Sequence, residues 1–341
     1  MRTRGKYTAA VVAAVLTGGI LAGAPAAEAA SGCQWAPTTL PAPGGYRVYG
    51  LGSGDGAGAV AGTLQPASPG GKRVGVIWRA DGPQLLGSAF GLDTELADVN
   101  AAGVAVGSST EFGEFPLNHA VRYTGGHFER LPDPPGYTNT QALAINARGD
   151  ILGAVGATAA TGVSTTVVWP ADAPGTVEVL LPAPGWQVQG GIDDNGTVAA
   201  AVIDWSTGTF AGQVLPKGGA AIRLASPVPS GDVVPTAITT QRIAGYVSRA
   251  GAFLWNHDGS VDRALPDLKN VSAMNSAGAI VGQAPDGSTL FLPPGGGPAQ
   301  TVTLPGNDTS PGEVTESGDV FGTATVYSPD PAKAVVRWHC G

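Results

Sequence analysis

Few residues in this 341-residue chain are of types that do chemistry, and they stand far apart. Three carboxylates come first. Asp98, Asp193 and Glu313 lie in or beside short aliphatic segments, and glycoside hydrolysis needs only two carboxyl groups at the right separation. The simpler reading of the same residues is strand-end and turn chemistry, in which Asp and Asn side chains accept hydrogen bonds from nearby backbone. The run Asp193-Asp194-Asn195-Gly196 offers oxygen ligands for Ca²⁺ but lacks the remaining spaced ones, and Asn-Gly at a hairpin accounts for it. The four histidines, His119, His127, His257 and His339, show no metal-ligand spacing and read as dispersed surface or turn residues. There is no Gly-x-Ser-x-Gly nucleophile elbow. The sequence therefore predicts no catalytic residue, no metal site and no cofactor.

The candidate binding residues are aromatic. Phe112, Phe115, Tyr137, Trp186 and Trp205 interrupt an otherwise regular pattern and fall in or beside its longer connections. Exposed aromatics beside carboxylates suit a sugar face or a partner's side chains. Aromatics folded down to cap the loops are the competing reading.

What must position these residues is a repeat. Seven times, an aliphatic residue (Leu51, Val99, Ile145, Ile192, Ile238, Met274, Val314) ends a β-type segment and is followed, in the clearest cases, by Asn and a Gly-containing turn such as Asn100-Ala-Ala-Gly103 or Asn275-Ser-Ala-Gly278. Glycine there supplies the positive φ of a two-residue hairpin. A second segment carries a small residue in register: Gly62, Gly107, Gly153, Ala200, Gly245, Gly282, Gly322. A third carries a large one: Trp78, Tyr123, Trp169, Val214, Trp255, Phe291, Trp338. A fourth ends in Leu86, Leu131, Leu181, Leu224, Leu265 or Leu304, four of them followed by Pro, which suits the end of an edge strand. Small residues fit the inner half of a blade crowded by its neighbours, and large ones fit the outward-widening wedge. Four-stranded units at this period predict an all-β, seven-bladed β-propeller over residues 31–341 as a single domain.

The seventh unit lacks its fourth strand. The chain ends at Trp338-His339-Cys340-Gly341, and the missing Leu-Pro stretch occurs instead as Cys33-Gln-Trp-Ala-Pro-Thr-Thr-Leu40-Pro41. The N-terminal strand is therefore expected to complete the last blade, as in WD-repeat propellers, leaving no open sheet edge. Cys33 and Cys340, the only cysteines, flank that seam and are expected to pair. Ala30-Ser-Gly-Cys33 loosely resembles a lipobox, but the position three before the cysteine is Ala rather than Leu and the apolar core ends too early.

The run Ala252-Phe-Leu-Trp255 through Gly282, and less fully the stretch 119–153, resembles the repeat of HAF-repeat extracellular proteins, with Leu-Pro where that family has Leu-Gly-Gly. The resemblance implies a secreted propeller and brings no catalytic residues with it. Residues 1–30 have the form of a secretory signal peptide: a basic start (Arg2, Arg4, Lys6), an apolar run from Ala9 to Leu21, and Ala27-Glu28-Ala29 as a cleavage pattern. The net charge of −8 argues against nucleic acid and anionic membrane partners. The expected protein is extracellular, monomeric and not inserted in a membrane, a non-catalytic module for a glycan or protein ligand. A glycan-active hydrolase or lyase with acidic residues in the channel, and a structural component of the cell surface, are the alternatives.

Overall fold

Seven four-stranded antiparallel sheets form a β-propeller, six of the blades running from inner to outer strand along the chain. This computed structural model describes residues 33–156, 165–180, 187–204, 206–302, 309–327 and 331–341, so the leader at 1–30, Trp186 and Trp205 lie outside the described residues. The inner strands are Tyr46–Gly54, Asp93–Val99, Asn139–Ile145, Gln187–Ile192, Val233–Ile238, Asn270–Met274 and Thr309–Val314. Blades are numbered 1 to 7 in that order.

Ring closure follows the expected scheme. The N-terminal strand Trp35–Leu40 pairs antiparallel with Pro331–Cys340, from Trp35 opposite Cys340 to Leu40 opposite Val335, and becomes the outer strand of blade 7. Cys33 and Cys340 form a disulfide with Cα atoms 5.4 Å apart, a separation ordinary for such bridges.

The tryptophans show how one blade holds the next. Trp169 donates its indole N–H to the Pro132 carbonyl (2.8 Å) and Trp255 to the Ala225 carbonyl (2.8 Å), each just past the Leu that ends the preceding blade's outer strand. Trp78 of blade 1 makes the same bond to Pro41 (3.0 Å), which makes Leu40-Pro41 the end of an outer strand like the others. Proline lacks a ladder donor but keeps its carbonyl, and that carbonyl receives the indole. Burial of Trp78, Trp255 and Trp338 between blades contributes on the order of 3 kcal/mol each.

Register corrects the large-residue series at two places. Val60, Ala105, Ile151, Val198, Ile243, Ile280 and Val320 are equivalent second-strand positions, and their third-strand partners are Trp78, Tyr123, Trp169, Leu215, Trp255, Leu292 and Trp338. Leu215 and Leu292 therefore replace Val214 and Phe291 in the tryptophan row, because a shift of one residue turns a strand side chain to the opposite face. Val214 instead packs beside Trp255, and Phe291 beside Trp338. At the outer strands, Leu180 and Val302 donate to the same carbonyl position as Leu131 and Leu224. The expected Leu181 and Leu304 lie outside the described residues.

Every inner strand carries a bulge opposite the small residue of the second strand, for example between Leu96 and Asp98 or between Pro311 and Glu313. A Cβ placed at Gly107 would lie 2.0 Å from the Glu95 carbonyl oxygen, at Gly245 2.2 Å from that of Val234, and at Gly282 2.2 Å from that of Asn270. The crowding thus comes from the blade's own bulged strand rather than from neighbouring blades. Gly245→Ala is expected to lose about 2–4 kcal/mol of unfolding free energy in urea, whereas Gly44→Ala, whose Cβ meets nothing within 4 Å, stays close to the parent.

Candidate functional site

The first-to-second-strand turns gather round the channel on one face. They are three-residue hairpins rather than the expected two-residue ones: Asn100 N–H donates to the Val104 carbonyl, Gly103 N–H donates to the Asn100 carbonyl, and Gly103 takes φ 76°. That combination is a turn followed by a left-handed glycine. The side chain at the turn's first position accepts backbone N–H groups inside the turn, as Asn100 does from Ala102 and Val104 and Asn146 from Arg148 and Asp150. Blade 1 repeats this with Asp55, which accepts from Ala57 and Ala59. Its strand therefore ends at Gly54, paired with Val60, and not at Leu51, since the bulge in this strand contains extra residues.

An asparagine at this position does more than close its own turn. Its amide donates to the carbonyl of the equivalent residue one blade on: Asn100 to Asn146, Asn146 to Asp193 (2.8 Å) and Asn275 to Thr315 (2.7 Å). This ring of side-chain bonds is why the repeat reads as an aliphatic residue followed by Asn. Asp193 interrupts it. Oδ1 closes the turn by accepting from Asn195 and Thr197, but Oδ2 is buried without a partner, and the next carbonyl, that of Thr239, is taken instead by His257 Nε2 at 2.8 Å.

The turns and strand ends of all seven blades enclose a cavity of about 230 Å³ at the channel mouth. Asp55, Asp193, Asp194, Glu313 and Glu316 line it, and among the described residues no Lys, Arg or His does. Just inside, the residue after each bulge is small at Ala144, Gly191, Ala237 and Ala273 but acidic at Asp98 and Glu313, on the two blades flanking blade 1. Asp98 is buried, with Val99 N–H on one oxygen and Ile145 N–H on the other, both at 2.8 Å. Burial outweighs those two bonds and, with the charge of Asp55, pushes its carboxyl up to about 7. Glu313 accepts from Gly54 N–H at 3.3 Å. Burial within the narrow channel pushes it up to about 8, and the negative charges of Asp98 and Asp55 add to the rise.

The structure thus brings Asp193 and Glu313 to one cavity and sets Asp98 behind its wall. The candidate aromatics among the described residues lie elsewhere. Phe112 and Phe115 are exposed in the connection between Ala105–Glu111 and Leu117–Thr124, on the opposite face, and Tyr137 packs against the apolar cluster joining blades 2 and 3. His119 departs from the surface-or-turn expectation, being buried within the third strand of blade 2. Asp55 and Glu316 were not legible as site residues, and Asp194 was legible only as part of the calcium-like run, because only the closed ring brings the three turns round one cavity.

No family model matches the chain, and no curated protein matches it. Among solved structures the chain is similar to a puromycin-hydrolyzing peptidase of Mycobacterium tuberculosis, with a TM-score of 0.56 and 12% identity, covering 88% of this chain and 53% of that one. It is also similar to YCF48 bound to D1 peptide, with a TM-score of 0.52 and 10% identity, covering 90% of this chain and 97% of that one. The likeness is one of fold. TolB from Acinetobacter baumannii aligns at 14% identity and a TM-score of 0.43, and this chain spans 64% of its length, as it spans about half that of the peptidase.

Proposed function

We propose that the protein is an exported binding module, a monomer without nucleic-acid or membrane partners, whose channel mouth receives a basic side chain of a protein ligand. The observation that carries this is a cavity lined by five acidic residues and, among the described residues, no cation. Such a site attracts a lysine ammonium or an arginine guanidinium, which would supply hydrogen-bond donors. Export is supported by the leader-like residues 1–30, by the resemblance to HAF-repeat extracellular proteins and by the disulfide. No helix among the described residues is long and apolar enough to cross a membrane.

Binding of a cation is linked to proton release. A ligand charge beside Glu313 favours its ionised form, so affinity rises as pH passes from 6 to 9 through the apparent values of about 7 and about 8. Calorimetric titration with an acetylated, amidated Gly-Lys-Gly peptide and its norleucine counterpart tests this. The lysine peptide is expected to bind more tightly at high pH, the norleucine peptide not at all, and Glu313→Gln to flatten the pH dependence. Equal behaviour of the two peptides would refute the reading.

The raised carboxyl values favour a second reading, acid–base catalysis on a glycan. It calls for a pair of tuned carboxyl groups reaching one substrate, and of the two raised ones only Glu313 lines the cavity, Asp98 having both oxygens bonded to backbone. Glycan hydrolysis abolished by Glu313→Gln would decide for the enzyme.

A further inference from the structure

The face opposite the channel mouth holds a second cavity, larger and of opposite character. It lies between blades 5 and 6, has a volume of about 690 Å³, and is bounded by the blade 5 hairpin at Ser248–Ala250, the end of that blade's outer strand and the connection into blade 6. Its size falls in the range of small-molecule sites. The hairpins at blades 5 and 6 are short, Ser248-Arg249-Ala250 and Ala284–Ser288, which leaves the crevice uncovered. Leu265, Leu268 and Ala252 form a buried apolar floor, and Tyr246, half-buried, stands in the wall.

Two cations stand at the rim. Arg249 and Lys269 both line the crevice, both are exposed, and neither side chain has a hydrogen-bond or ion-pair partner among the described residues. Eight other Lys or Arg side chains of this acidic chain pair with carboxylates. The nearest acids in sequence do not compensate them: Asp267 is not part of the lining, Asp262 pairs with Arg242, and Asp258 is occupied by the Ser260 hydroxyl and N–H. Arg249 also holds φ 69°, one of three non-glycine residues with positive φ among the described residues. Glycine or asparagine would occupy that hairpin position at lower conformational cost, so a long cation is kept there against the local backbone preference.

We infer that this crevice is a binding site for a small molecule with an apolar body and a terminal carboxylate, the body lying on Leu265 and Leu268 and the carboxylate between Arg249 and Lys269. An apolar floor and two unpaired cations are complementary to the two halves of such a ligand. The site is separate from the acidic mouth, which would repel it.

Octanoate and 1-octanol, titrated calorimetrically into the intact protein below the micelle limit, separate the two halves. Octanoate is expected to bind more tightly than octanol. Arg249→Gly and Lys269→Gln should each weaken octanoate by about tenfold, the loss of one charge-assisted contact, and leave octanol unchanged. Arg249→Gly is also expected to keep or raise the melting temperature, so a folding defect cannot account for lost affinity. Glu313→Gln, at the other face, should affect neither ligand. Absence of octanoate binding, equal affinity for octanol, or octanoate binding indifferent to Arg249→Gly and Lys269→Gln would overturn the inference.

Discussion

Replacing Cys33 and Cys340 by serine is expected to destabilise the propeller by about 3–5 kcal/mol and to lower its melting temperature by on the order of 10 °C. The bridge spans 307 residues of sequence, and the chain-entropy limit for so long a loop is roughly 5–6 kcal/mol, of which native bridges commonly return about 2–5. The location adds to the effect. The bridge pins the one strand that no hairpin holds, since Trp35–Leu40 reaches blade 7 only by closing the ring. Other anchors remain when it is cut: Trp35 donates to Gln300 (3.2 Å) and packs edge-on against Phe291 (5.0 Å between centroids), and Trp78 still bonds Pro41. The serine variant should therefore fold but open earlier, with hydrogen exchange accelerated first along Trp35–Leu40 and its partner strand. Reduction of the parent should reproduce the shift, and reductant should do nothing further to the variant. A melting temperature unchanged by the double substitution would mean that the six-residue pairing alone closes the ring.

That closure was legible because it depended on counting. An incomplete last unit, a spare Leu-Pro at the other end and two cysteines at the same seam admit one arrangement, and small residues at seven second-strand positions hold it in register. Single-residue register was not legible where large side chains occur in adjacent positions. Val214 and Phe291 are buried and bulky, yet Leu215 and Leu292 occupy the tryptophan row, and only the pairing with Val198 and Ile280 distinguishes them. Glycine at the end of the first inner strand hid the true position of that turn, for Gly54 lacks the aliphatic mark the others carry. The acids were visible as residue types, but their meeting was not. Asp98 and Glu313 are 215 positions apart in the chain and become neighbours only across blade 1. One signal at the mouth stood in the repeat itself: Asp193 occupies the place of Asn100, Asn146 and Asn275, and an acid there cannot donate to the next blade. Nothing in the residue types marked Arg249, whose interest rests on a backbone angle.

The acids flanking blade 1 are expected to make stability fall as pH rises. Both carboxyls have folded-state values above their ordinary ones, about 7 against 3.8 for Asp98 and about 8 against 4.5 for Glu313. Between those limits the folded protein holds protons that the unfolded chain has released, so unfolding free energy decreases with pH. The contribution is complete below about pH 4, is lost progressively as pH rises through 7 and 8, and levels off above that. Each group can add a slope of up to about 1.4 kcal/mol per pH unit, and because the two interact, the transition belongs to the pair. Glu313→Gln removes the charge that is costly to bury and keeps an oxygen for Gly54 N–H. It is expected to match the parent within about 1 kcal/mol at pH 5 and to exceed it by a few kcal/mol at pH 8.5. Asp98→Asn should gain less, because both Asp98 oxygens accept backbone N–H groups and an amide would turn one of those acceptors into a donor facing a donor. Urea unfolding of the parent and both variants across pH 5 to 9 measures this. If Glu313→Gln runs parallel to the parent over the whole range, Glu313 is ionised at neutral pH in the folded protein, and the channel is wetter than its packing indicates.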